Sequence, residues 1–272
     1  MKLKTLLISA ALAIASVCSA NAVVITTFDS NGITRSVSDD FERGVATAYQ
    51  SATQNIGAIG EGYTVVSGSI RVATNKLDTS VAGLEYRNDL RTLSTGDFSF
   101  TLRGDVFSPN GTGKYGGLIF NLNDGVNTAT LNDSYYALRT GYDNSAANTG
   151  IFELIKVTDG TIVSLNKVTN IGLVTNTTYT LSVWTLMGQP NTFNYSIAEI
   201  AGGAIKYSNS FTDTSFVDGY GGFVKYSSGT GRYDNFSLTV LEVPEPSTVA
   251  LLGIGMAGVL FLRKRARSRQ AS

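Results

Sequence analysis

The chain contains no histidine and a single cysteine, Cys18. Cys18 lies in an apolar N-terminal stretch that reads as a removable leader, so the mature chain would hold neither residue type. Their joint absence excludes disulfides, thiolate nucleophiles, imidazole bases and the usual Cys/His zinc sites. Long helical patterns, internal repeats and charge blocks are also missing, which removes support for fibrous and array architectures. No basic patch with interleaved aromatics occurs, which argues against nucleic acid as a partner. Neither an EF-hand loop nor a nonapeptide calcium repeat is present.

The leader reads in three parts. Lys2 and Lys4 precede an apolar stretch from Leu6 to Val17, and Ala20-Asn21-Ala22 forms a small-x-small cleavage site. Residues 1–22 therefore read as a signal peptide, with the Sec translocon and signal peptidase as implied partners and maturation at Val23. Val17 sits where a lipobox requires a small residue, so a lipid anchor on Cys18 is disfavoured. Residues 23–242 carry 20 acidic and 14 basic side chains, 14 − 20 = −6, while the whole chain sums to zero because basic residues lead and trail it. A stretch of this length suits one domain, and no linker divides it.

Between these limits the pattern is all-β. Phe98, Phe100 and Leu102 alternate with Ser99, Thr101 and Arg103; Tyr179, Leu181 and Val183 with Thr180, Ser182 and Trp184; Phe193, Tyr195 and Ile197 with Asn194 and Ser196. A period of two gives each run one apolar face. Further short runs are readable at 117–121, 135–139, 151–157, 162–166, 204–207, 222–226 and 233–241, separated by Gly- and Asn-rich turns. Such spacing predicts a two-sheet antiparallel sandwich or jelly roll.

The C-terminal segment, residues 243–272, has a different character. Val243-Pro244-Glu245-Pro246 is followed by an uncharged run of fourteen residues, Val249 to Leu262, and then by Arg263-Lys264-Arg265-Ala266-Arg267-Ser268-Arg269. As a helix that run spans about 21 Å, short of the roughly 30 Å hydrocarbon core. Extending it over 247–262 or thinning the bilayer allows a crossing, with the basic tail 263–272 cytoplasmic and the domain on the far side. The order Pro-Glu-Pro, apolar helix, arginine-rich end resembles the PEP-CTERM sorting signal of Gram-negative bacteria that make exopolysaccharide, a tail also called an ice-binding protein C-terminal domain. The resemblance implies an exosortase that cleaves near Pro-Glu-Pro, so the protein would be held in the inner membrane in transit and then reach the cell surface or the extracellular biofilm matrix. An uncut membrane anchor is the alternative.

A second resemblance covers about 39–241. Asp40-Phe41-Glu42-Arg43, followed by Gly62-Tyr63-Thr64-Val65-Val66-Ser67-Gly68, is similar to the opening of concanavalin-like jelly rolls, with Tyr63 in place of their usual tryptophan. Gly221-Gly222-Phe223 and Arg232-Tyr233-Asp234-Asn235-Phe236 are similar to the close of laminin-G-like and lectin sandwiches. The resemblance implies a concanavalin-like jelly roll for 23–242, flanked by the signal helix and the transmembrane helix, and leaves the activity open.

Residues able to carry chemistry are few. Retaining glucanases of related fold place Glu-x-Asp-x-x-Glu on one strand, and no such cluster occurs here; Glu61, Glu85, Glu153 and Glu199 fall in separate elements. Trp184 is the only tryptophan and falls on the polar face of its strand. An aromatic ring there can stack on a pyranose, with Tyr135 and Arg139 joining it if their strand faces the same way; the alternative is that a loop covers Trp184 or that it packs between sheets in a second apolar layer. Asp234 shares strand parity with Phe236, Leu238 and Val240, so its carboxylate is expected to point inward. A buried carboxylate is paired or binds a metal, and a structural calcium held by Asp234 with Asp40 and Asp39 is one expectation; an ion pair with Arg43 or Arg232, or an Asp-Asn turn cap, is the other. These residues are consistent with a non-catalytic polysaccharide-binding module, with a structural or adhesive matrix protein and a glycoside-cleaving enzyme as alternatives.

Overall fold

The structure is a computed structural model, and it describes residues 23–29, 32–39, 41, 50–51, 63–67, 69–72, 76–79, 85–94, 99–111, 113–123, 134–142, 150–200, 203–217, 219–226 and 231–242. The signal peptide, Asp40, Glu61 and the segment 243–272 with its expected membrane helix lie outside this set. Among the described residues no helix is long and apolar enough to cross a membrane.

Among the described residues seventeen strands form two antiparallel sheets. The N-terminal strands are β1 (Val23–Asp29), β2 (Gly32–Asp39), β3 (Gln50–Ser51), β4 (Tyr63–Ser67), β5 (Ser69–Val72), β6 (Leu77–Thr79) and β7 (Glu85–Ser94). There follow β8 (Ser99–Ser108), β9 (Tyr115–Asn123), β10 (Ser134–Tyr142), β11 (Gly150–Thr158), β12 (Thr161–Val168) and β13 (Thr177–Leu186). The chain closes with β14 (Gln189–Glu199), β15 (Ile205–Thr212), β16 (Tyr220–Tyr226) and β17 (Arg232–Glu242). The large sheet has ten strands in the order β15-β14-β13-β8-β17-β6-β5-β3, with β2 on β17 and β1 on β2. The small sheet has seven, ordered β12-β11-β10-β9-β16-β7-β4. This is the expected all-β jelly-roll sandwich.

Alternation sets which residues meet between the sheets. Phe100, Leu102, Leu181, Val183, Phe193, Tyr195 and Ile197 point inward from the large sheet and Leu118, Phe120, Tyr136, Leu138, Phe152 and Leu154 from the small one, all buried. Aromatic pairs join the layers. Phe193 lies 5.2 Å from both Phe120 and Tyr136, and Phe223 lies 4.6 Å from Tyr233 and 4.7 Å from Phe236, centroid to centroid. Phe223 is 0 % exposed, so Phe223→Ala should cost about 3–5 kcal/mol through lost contacts and an unfilled cavity, read as a lower urea midpoint with unchanged slope.

A salt bridge also ties the layers. Lys156 Nζ of β11 lies 3.1 Å from Asp213 Oδ2, just beyond β15, and donates to Ser215 Oγ at 3.1 Å. Burial pushes the Asp213 carboxyl up, but hydrogen bonds from the Ser215 hydroxyl and amide and from Lys156 outweigh it and lower its pKa from 3.8 to about 2. A depressed carboxyl contributes stability that is present above pH 3.8 and lost as pH falls through about 2. After discounting for solvent screening this amounts to about 1–2 kcal/mol. The Asp213→Asn variant should show a smaller loss of urea midpoint than the wild type between pH 5 and pH 2.

Candidate functional site

The outward face of the large sheet is a register-matched field of short polar side chains. One row runs across six strands as Ser36, Thr239, Thr101, Trp184, Asn194 and Ser210, each directly paired with the next. The adjoining row is Ser38, Ser237, Arg103, Ser182, Ser196 and Ser208, on the same strands. Inward partners such as Leu102, Val183 and Leu238 fill the core, so alternation turns every member of these rows outward. Thr101, Arg103, Ser208 and Ser210 are exposed and Trp184 is half-buried. Trp184 therefore lies on the polar face, as its parity indicated, with hydroxyl and amide side chains on either side. Among the described residues no hydrogen bond engages the side-chain hydroxyls of Ser36, Thr101, Thr239 or Ser210. The only charge in the two rows is Arg103.

Tyr135 and Arg139 lie elsewhere. They belong to β10 in the small sheet and point away from the shared core, so they sit on the opposite side of the sandwich from Trp184. The structure thus separates the three residues that the sequence grouped, because their strands belong to different sheets. On that far face Arg139 Nη2 and Nε lie 2.7 and 2.9 Å from Glu153 Oε2. The guanidinium carbon is 4.1 Å from the Tyr115 ring centre and 4.9 Å from that of Tyr226. The hydroxyls of Tyr135 and Tyr226 are 2.8 Å apart. A second core, including Ile119, Ala137, Ile155 and Val224, surrounds them, and Tyr135 is 1 % and Arg139 8 % exposed. Gly117 lies beside Arg139 in register, and a Cβ there would stand 2.5 Å from the Leu138 carbonyl oxygen. Tyr135, Arg139 and Glu153 are thus closed off from solvent.

Asp234 also departs from its expected orientation. The ladder between β17 and β8 slips between Asp234 and Ser237, and Asn235 takes φ 47°. This bulge turns Tyr233 and Phe236 both inward, at 1 % exposure each, and breaks the parity between Asp234 and Phe236. Tyr233 donates its hydroxyl to the Val224 carbonyl at 2.6 Å, and burial pushes its pKa well above the usual phenol value. Asp234 Oδ1 accepts the Asn235 amide at 2.9 Å, and Oδ2 stands 4.0 Å from Lys76 Nζ. Asp39, 4 % exposed, accepts the Phe41 amide at 2.9 Å. Among the described residues no three acidic groups gather as a metal site.

A carboxylate that sequence reasoning missed is Asp105, on the outward parity of β8 yet 4 % exposed. It accepts the Thr180 hydroxyl at 2.6 Å and the Asn235 side-chain amide at 2.9 Å. The outward bulge at Asn235 supplies that cover. Of the acidic residues considered for hydrolysis, Glu153 is held by Arg139 in the small sheet, while Glu199 pairs with Lys206 at 2.6 Å on the large one.

Comparison with known proteins places a PEP-CTERM protein-sorting motif at residues 242–265. The motif marks an exported protein of the kind sorted by an exosortase. No curated protein sequence matches the chain. The structure is similar to the carbohydrate-binding module CBM66 from Bacillus subtilis, with 16 % identity and a TM-score of 0.49 over 65 % of this chain and 94 % of that one. It is also similar to a legume lectin-like domain from Entamoeba histolytica, at 14 % identity and TM-score 0.45 over 67 % and 91 %. A third similarity is to the VIP36 exoplasmic/lumenal domain in its Ca2+/Man2-bound form, at 12 % identity and TM-score 0.47 over 73 % and 89 %.

Proposed function

We propose that this is a non-catalytic polysaccharide-binding protein of the cell surface or extracellular matrix, whose ligand lies against Trp184 on the outward face of the large sheet. The observation that carries the reading is the half-buried Trp184 at the centre of a six-strand row of hydroxyl and amide side chains. An aromatic ring supplies apolar area to a sugar face while neighbouring polar groups meet its hydroxyls. Of the four glutamates named for hydrolysis, Glu61 and the Glu85 side chain lie outside the described residues, while Glu153 and Glu199 are ion-paired on different sheets and so do not form an acid and nucleophile pair with each other. Export by the Sec route and exosortase cleavage near Pro244-Glu245-Pro246 would deliver the domain to its ligand.

A structural matrix role is favoured by one other observation. Among the described residues β12 and β15 end their sheets, and Ile162, Val163 and Ile205 on them are 45, 47 and 65 % exposed, an arrangement that invites pairing with a second chain.

The purified protein should be run against bacterial, algal and plant polysaccharides with retention and released reducing sugar recorded together, with and without calcium. Retention without release supports the binding reading. Release overturns it, and silence in both channels with concentration-dependent self-association supports the structural role. A chelator-induced fall in melting temperature would support calcium at Asp39, Asp40 and Asp234.

A further inference from the structure

We propose that the row through Trp184 is a linear array of subsites for one extended, uncharged polysaccharide chain that runs across the strands; this rests on the polysaccharide-binding reading above. The direction follows from where charge and irregularity lie. Across the strands the row from Ser36 to Ser210 is unbroken in register and carries no charge. Along the strands, by contrast, a ligand meets Arg103 of β8, the Asn235 bulge that covers Asp105, and the register slip between Trp184 and Leu186 in β13.

Five strand steps of about 4.8 Å give the row a length of about 24 Å, enough for several consecutive sugars. Apart from Trp184 its side chains are short, and all rise from hydrogen-bonded strands, so few rotamers are frozen on binding. The partner is a single chain rather than a flat crystalline surface because sheets twist by about 20–25° per strand, which accumulates to about 100° over five steps. A flexible chain can follow that turn, whereas a plane touches only a few strands. The row carries no charge and the adjoining one a single cation, Arg103, so a polyanion would desolvate a run of uronate carboxylates against one counter-charge, which is unfavourable.

Ser210 and Ser36 mark the ends of the row, about 10 and about 14 Å from Trp184 by strand spacing. The test uses affinity electrophoresis of the purified protein with soluble β-glucan, xylan and galactomannan, their di- to octasaccharides as competitors, alginate as polyanion and microcrystalline cellulose as flat surface. One of the neutral chains is expected to retain the protein, its competitors strengthening at least tenfold from disaccharide to hexasaccharide. Ser36→Glu and Ser210→Glu, both on the outward face, should each weaken the long chain at least fivefold and leave disaccharide competition unchanged. Binding with no length dependence, wild-type behaviour of both variants, or stronger retention by alginate or microcrystalline cellulose would overturn the array while leaving Trp184 as a binding residue. Absence of retention by all five materials would overturn both the array and the reading on which it rests.

Discussion

Trp184→Ala should abolish polysaccharide retention while the folded domain persists. Trp184 faces outward from β13, between Thr101 of β8 and Asn194 of β14, and the core beneath it is built by its neighbours Val183 and Thr185. Truncation therefore removes outward apolar area without opening a cavity between the sheets. Outward substitutions that miss the core shift stability by about 0.5 kcal/mol, and the half-buried state of this ring raises the expected cost to about 1 kcal/mol, a few degrees in melting temperature. Central aromatic anchors of binding faces are worth about 2 kcal/mol or more, which corresponds to about a thirtyfold loss of affinity. Trp184→Tyr keeps a ring and should retain part of the binding. Unchanged retention by folded Trp184→Ala would move the site elsewhere.

The second large effect is on stability. Arg139→Ala would leave the Glu153 carboxylate, whose side chain is 5 % exposed, without its cation. It would also remove the guanidinium that packs on Tyr115 and Tyr226. Breaking one partner of a buried ion pair costs about 3–5 kcal/mol because the remaining charge is stranded, whereas replacing both partners with apolar groups of similar size is often neutral. The double variant Arg139→Met with Glu153→Leu should therefore recover most of the stability lost by Arg139→Ala, as measured by urea midpoint. Both variants should retain polysaccharide below their melting temperatures. Loss of retention by a folded double variant would bring Arg139 back into the ligand site.

Much of this architecture is legible in the chain. Strong period-two runs such as Tyr179-Leu181-Val183 and Phe193-Tyr195-Ile197 place their apolar members in the core as expected, because a buried face admits one register only. The outward position of Trp184 follows from the same rule. Sheet membership does not: parity tells which face of a strand a residue occupies, yet Trp184 and Arg139 share a polar parity and lie on opposite sides of the molecule. Long-range pairing of β13 with β8 and of β10 with β11 decides that, and nothing local encodes it. Asp234 failed for a different reason. Tyr233 and Phe236 lie three residues apart, a spacing that a regular strand cannot turn to one face, and the intervening Asn235 tolerates the left-handed conformation that reconciles them. That aromatic spacing around Asp-Asn was the signal for a bulge. The burial of Asp105 followed from it, since the same bulge brings Asn235 over the carboxylate.

Because the chain contains one tryptophan beside 13 tyrosines, fluorescence excited at the red edge, where tryptophan absorbs and tyrosine does not, reports on the proposed site alone. Titration of the purified protein with the polysaccharide that retains it should give a saturable shift in Trp184 emission whose midpoint matches the affinity from retention. Undiminished retention with emission unchanged through saturation would show that the ligand binds away from Trp184 and would contradict the account.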